Sequence, residues 1–188
     1  ISQFNPQNID SLKLWINASN VNIGSDGKID TLYDMSGNNN HAHQINSSKR
    51  PVIGLPQYSL NGHFGIDFDG NNDFFDLPLG SLPNQNYTLF AIVKPYTSNG
   101  PRTIISRAYV RADFLMRFNN QDFESYVNTN FQSIENVNFT EQYTFLVFSN
   151  YNNTTRNLQV NQSMASEISH SGIINYNLNI SPGPNQVG

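Results

Sequence analysis

Ten consecutive residues, 87–96 (Y-T-L-F-A-I-V-K-P-Y), restrict the fold of this chain more than any others. Alternation puts Tyr87, Leu89, Ala91 and Val93 on one side of an extended segment, with Thr88, Phe90 and Ile92 on the other. Both sides are largely apolar, which predicts a strand in the interior of a layered β-structure and not at its rim. Lys94 and Pro95 end the run, since proline has no N–H to give to a ladder. Residues 143–149 (Y-T-F-L-V-F-S) repeat the pattern, and the two segments are expected to be neighbouring central strands.

The rest of the chain reads as short extended pieces between turns. Residues 11–18 (S-L-K-L-W-I-N-A) alternate, with Leu12, Leu14 and Ile16 on one face and Trp15 on the other. Asp26-Gly27 marks a hairpin or loop before a short strand at 28–33, and residues 34–42 have no period. Asp, Ser and Asn side chains there are able to bond their own backbone. Residues 51–60 read as extended chain kinked at Pro51 and Pro56, and Asn61-Gly62 as a turn. Phe64, Ile66 and Phe68 are expected to point inward, and 69–73 forms a second polar loop before the chain resumes at 74–77. Further strands are predicted at 102–106, 113–118, 123–128, 157–162 and 173–178, and no stretch, 165–171 included, shows a helical period. The pattern predicts an all-β, two-sheet antiparallel sandwich.

Composition narrows the partners. At 188 residues, the chain is expected to form one domain over 1–188 that buries its core without staples. With no cysteine, disulfides and thiolate metal sites are excluded. Charged residues make up 13%, against about 25% in ordinary domains. Thirty asparagines carry the polarity instead. The net charge is -4 with no lysine or arginine run, which argues against nucleic acid. No apolar run approaches the roughly 20 residues of a membrane span. Eight Asn-x-Ser/Thr triplets, at Asn17, Asn46, Asn86, Asn138, Asn152, Asn153, Asn161 and Asn179, read as a by-product of asparagine abundance.

Four segments in order, L-K-L-W-I-N-A-S-N, D-M-S-G-N-N-N-H-A, F-G-I-D-F-D-G-N-N-D-F-F and Y-T-L-F-A-I-V-K-P, resemble the laminin-G-like, concanavalin A-like jelly-roll domains. The resemblance spans about residues 10–160 and implies a place on a secreted, cell-surface or virion protein. Such domains usually continue with a further strand pair and a short helix where this chain reaches Asn185-Gln186-Val187-Gly188. The resemblance therefore implies a fragment of a longer chain that lacks its last strands. An open sheet edge of that kind is expected to take a partner chain.

Sugar-cleaving enzymes share this architecture, and glycoside hydrolysis needs two carboxylates about 5–9 Å apart. The chain has four glutamates, and only Glu124 has an acid two residues away, Asp122, with no third acid. A non-enzyme is expected. Asp69, Asn71 and Asp73 begin like a calcium loop, but Phe74 and Gly80 stand where an EF-hand needs glycine and glutamate. A looser calcium site at those three residues is the metal expectation, with Asp34 and Asn38 a similar grouping. His41-x-His43 lacks a third ligand nearby and reads as loop surface. Sugar binding needs an aromatic plate beside planar polar groups. Arg107, Arg117, Asn119 and Tyr126 are the glycan-binding candidates, with Tyr109 and Arg111 near them in sequence. The expected function is recognition or adhesion, with glycan as ligand. The alternatives are an assembly domain of a virion or fibre protein and a polysaccharide-active enzyme.

Overall fold

The computed structural model describes residues 5–78, 80–82, 86–97, 99–107, 114–127, 130–137, 139, 142–151, 155–161, 163–164, 168–169 and 185–187. They are all-β, with 3-10 turns as the helical pieces. The chain divides into two compact units, Ile1–Leu82 with Pro184–Gly188, and Pro83–Gly183.

In the first unit, β1 (Val21–Ile23) and β2 (Ile29–Leu32) form a hairpin whose connection turns at Gly27, φ 74°. β2 pairs with β3 (Ala42–His43), and β4 (Val52–Ile53) pairs with β5 (Ile66–Asp67). β6 (Phe75–Leu77) lies against β3. Ile29, Leu32, Ala42, Phe75 and Leu77 are buried.

Two expectations fail in this unit. Residues 11–18 form no strand, because loop side chains take the place of a ladder. The Asp34 carboxylate accepts the Trp15 N–H, Met35 donates to the Trp15 carbonyl, and the Asn38 and Asn40 amides donate to Leu12 and Lys13 carbonyls. Phe64 does not point inward: it stands just past the Asn61-Gly62 turn and is 50% exposed. The strand that follows is only two residues long, too short to impose a common inner face on 64–68.

The second unit is a sandwich. One sheet is β8 (Pro101–Arg107), β9 (Phe114–Asn119), β10 (Asp122–Val127) and β11 (Asn130–Ile134) in order, all antiparallel. The other runs β7 (Tyr87–Val93), β12 (Thr144–Tyr151), β13 (Thr155–Val160), with β14 (Ser163–Met164) and β15 (Ile168–Ser169) both on β13. Back in the first unit, β16 (Asn185–Val187) pairs with β6. Aromatic rings join the two sheets of the second unit: Phe114 on β9 meets Phe148 on β12 at 5.1 Å and Tyr87 on β7 at 5.9 Å. Phe118, Phe123 and Phe139 complete the core, Phe118 and Phe139 being 4.0 Å apart.

β7 and β12 are neighbours, as their sequences predict, and β12 is interior, between β7 and β13. The expectation of an interior β7 fails. Among the described residues it pairs with β12 alone, and its burial alternates, leaving Phe90 and Ile92 each 60% exposed. An apolar side chain on a strand is permitted in solvent; alternation shows that two faces differ, not that both are covered. The predicted strand at 173–178 lies outside the described residues.

Candidate functional site

The β9–β10 hairpin turns at Asn120-Gln121, with Asn120 in the left-handed region at φ 55°. This register sets Asn119 opposite Asp122, Arg117 opposite Glu124 and Leu115 opposite Tyr126. Paired residues share a face, so these six lie together, while Met116, Phe118, Phe123 and Ser125 face the core. On β11, Phe131 comes opposite Tyr126 and belongs to the same outer face.

The face carries one connected polar cluster. Arg117 Nε donates to Glu124 Oε2 at 2.6 Å, and Asn119 Nδ2 donates to Oε1 at 2.9 Å. Arg117 Nη2 donates to Tyr126 Oη at 3.2 Å, and the guanidinium lies 5.1 Å from the Tyr126 ring centroid. Tyr126 in turn rests 5.0 Å from Phe131, which is 49% exposed. The ion pair is largely sheltered, with side-chain exposures of 12% for Arg117 and 6% for Glu124. Charge is thereby cancelled within the cluster, and both Glu124 oxygens are engaged. That wiring suits a fixed support for an aromatic plate better than a free acid or base. Asp122 is also occupied: its Oδ1 accepts the Asn136 N–H at 3.1 Å.

The structure thus brings together Arg117, Asn119 and Tyr126 of the sequence candidates. Arg107 ends β8 opposite Phe114, while its side chain, and all of Tyr109 and Arg111, lie outside the described residues. Sequence reading missed β11, and with it Phe131, as well as the Glu124 anchor. Recognising Asn120-Gln121 as a two-residue turn would have paired 117 with 124 directly.

The first unit holds the remaining polar groupings. Asp34 is buried and accepts the N–H groups of Trp15, Ser36 and Asn40 and the Ser36 hydroxyl. Burial, the largest single influence, pushes its carboxyl up, but these donors together outweigh it and hold the group below the ordinary carboxylate range. His41 Nδ1 accepts the Asp34 N–H, and His43 Nδ1 pairs with the Thr31 hydroxyl, the two rings being 6.3 Å apart. In the 69–73 loop, Asp69 Oδ1 accepts the N–H groups of Asn71, Asn72 and Asp73, and Asp73 Oδ2 accepts that of Asp69. The Asn71 bond foremost, with the other two and against a burial effect, holds the Asp69 carboxyl below its ordinary range. Asp73 Oδ1 is buried without a hydrogen-bond partner. Among the described residues no three His, Asp or Glu side chains converge as a metal site.

No protein-family model matches the chain, and no curated protein matches it. Solved structures do. A tryptophan-to-alanine mutant of HCR/D aligns with a TM-score of 0.53 and 14% identity, covering 86% of this chain and 43% of that one. The botulinum neurotoxin serotype D binding domain gives 0.49 and 14%, covering 87% and 44%. The serotype D ligand-binding domain in complex with N-acetylneuraminic acid gives 0.49 and 16%, covering 87% and 43%. This chain spans less than half the length of those structures. At such identity the first likeness is one of fold, and the fold is an all-β sandwich.

Proposed function

We propose that this chain is a non-catalytic recognition module of a secreted, cell-surface or virion protein, of the laminin-G-like, concanavalin A-like class, and that its ligand is a glycan. The observation that carries the reading is the cluster on the outer face of β9, β10 and β11. Arg117, Asn119 and Glu124 hold the Tyr126 ring and hydroxyl in place beside the exposed ring of Phe131. A pre-fixed aromatic surface edged by planar polar groups matches the alternating C–H and hydroxyl faces of a sugar. The engagement of both Glu124 oxygens supports recognition over hydrolysis. In this reading Asp69, Asn71 and Asp73 remain the candidate calcium loop, separate from the β9–β11 face: Asp69 Oδ1 and Asp73 Oδ2 are engaged by backbone N–H groups, and Asp73 Oδ1 has no hydrogen-bond partner among the described residues.

The test is a glycan array on the whole chain, followed by calorimetry on the hits with Phe131→Ala and Tyr126→Phe. Phe131→Ala is expected to weaken binding about tenfold, the equivalent of ~1.4 kcal/mol. Binding that is unchanged in both variants, or absent from the array, overturns the assignment.

A second reading, an assembly domain, is favoured by one observation. Phe90 and Ile92 on β7, with Phe145 and Tyr151 on β12, stand exposed on the second sheet. Native mass spectrometry showing a stable oligomer, together with an empty array, would select it.

A further inference from the structure

We propose that a cleft in the first unit, between the turn at 17–19 and the hairpin tip at 60–64, is a separate subsite for one uncharged sugar ring. The proposal rests on the reading that this chain recognises saccharides, and it places a second contact far from β9 and β10 in sequence. The cleft encloses about 340 Å³ and is lined by Asn17, Ala18, Ser19, Gly62, His63 and Phe64. Ligand pockets begin at about 300 Å³, so the space suits a small ligand.

Each wall is rigid for a local reason. Asn17 Oδ1 accepts both the N–H of Ser19 at 2.9 Å and its hydroxyl at 2.6 Å, a closed turn that fixes the amide. Asn17 Nδ2, with two hydrogens, has no acceptor among the described residues. Across the cleft, Leu60 and His63 exchange backbone bonds of 3.0 and 2.9 Å. Asn61 at φ 52° and Gly62 at φ 80° supply the two left-handed residues that a two-residue hairpin turn of this kind requires. The space beside Gly62 is open: a Cβ built there would meet no atom within 4 Å. The tip holds Phe64 half exposed, stacked on no other ring among the described residues.

The chemistry of the lining selects the ligand. Phe64 offers a ring face for the C–H side of a pyranose. Asn17 Nδ2 offers two donors for neighbouring hydroxyls, with the Ser19 hydroxyl and the His63 ring able to take or give a further bond. Among the described residues no lysine, arginine, aspartate or glutamate lines the cleft, which favours an uncharged sugar over an anionic one. A neutral hexose or N-acetylhexosamine is the ligand class the residues fit.

The experiment is saturation-transfer NMR on the full chain with the methyl glycosides of glucose, galactose and mannose, with N-acetylglucosamine, and with N-acetylneuraminic acid as the anionic control. At least one neutral sugar is expected to receive saturation from aromatic protons. In a Phe131→Ala background, where the β9–β11 plate is removed, Phe64→Ala should abolish the transfer that remains. Asn17→Asp, which keeps the acceptor and removes both donors, should weaken the affinity about tenfold. Ile45→Ala, at an exposed position outside the cleft lining, should leave it unchanged. Circular dichroism of both cleft variants should match the parent, since the two residues are solvent-accessible. Transfer that survives Phe64→Ala in the Phe131→Ala background, transfer confined to N-acetylneuraminic acid, or no transfer to any neutral sugar overturns the subsite. Transfer lost on Phe131→Ala alone refutes the cleft and leaves the β9–β11 assignment standing; transfer that outlasts Phe131→Ala and is lost only when Phe64→Ala is added supports the cleft, and the array with Phe131→Ala decides the β9–β11 face separately.

Discussion

Arg117→Met is the perturbation that tests most sharply whether the β9–β10 cluster is a fixed support. Surface ion pairs contribute about 0–1 kcal/mol, whereas removing one partner of a buried pair costs about 3–5. Side-chain exposures of 12% and 6% place this pair in the second regime. The variant leaves the Glu124 carboxylate sheltered, with the Asn119 amide as its remaining partner in the cluster, and removes the Tyr126 hydroxyl bond and the cation–π contact. Residual water access argues for the low end, about 3 kcal/mol, or a midpoint lowered by roughly 6–12 °C for a chain of this size. Replacing both partners, as Arg117→Met with Glu124→Met, should recover most of the loss, because two matched apolar groups need no solvation. Urea unfolding followed by far-ultraviolet circular dichroism measures the cycle. Trp15, the single tryptophan, lies in the first unit, so its fluorescence serves as an internal control that the substitution acts on the second. A cost below about 1 kcal/mol for the single variant, or a double variant as unstable as the single, refutes the claim that the pair acts as a buried anchor.

Asp34 should make the first unit acid-sensitive. Its folded-state carboxyl sits below its unfolded value of about 3.9, so its contribution is complete above that pH and is lost as pH falls through the lower folded value. Asp34→Asn should cost about 1–3 kcal/mol at neutral pH and flatten the acid limb seen by Trp15 fluorescence; an unchanged limb contradicts the sign. Phe123→Ala, in the core, should cost about 3–5 kcal/mol, while Phe90→Ala, on the exposed face, should change stability by about 0.5 or less. Equal losses from the two would show that the exposed face is covered in solution.

Period and turn chemistry carry the fold class. Residues 143–149 announce β12 within two residues of its ends, and Asp26-Gly27 and Asn61-Gly62 both turn where expected. What alternation does not carry is the count of layers over each face. Thr88, Phe90 and Ile92 are apolar enough to be buried, and stand in solvent because no described strand covers that side. Residues 11–18 fail for the opposite reason. Their pattern suits a strand, but hydrogen bonds from residues up to twenty-seven positions away satisfy the backbone first, and a period-two reading has no access to them.

The candidate site was legible as a set of residue types and illegible as a set of roles. Arg117, Asn119 and Tyr126 stand out because planar polar groups and an aromatic ring recur near one predicted hairpin. Glu124 attracts a catalytic reading because Asp122 shares its strand face. The register reverses that reading: with Asn119 opposite Asp122, the nearest cation to Glu124 is the guanidinium directly across the ladder, and Asn119 takes the oxygen that remains. A carboxylate committed to two donors in a sheltered position is poorly placed to move a proton and well placed to hold a ring. The same residues that would make a weak enzyme therefore make a stiff surface of the kind the proposed recognition requires, and the deciding quantity is one turn length, two residues between β9 and β10.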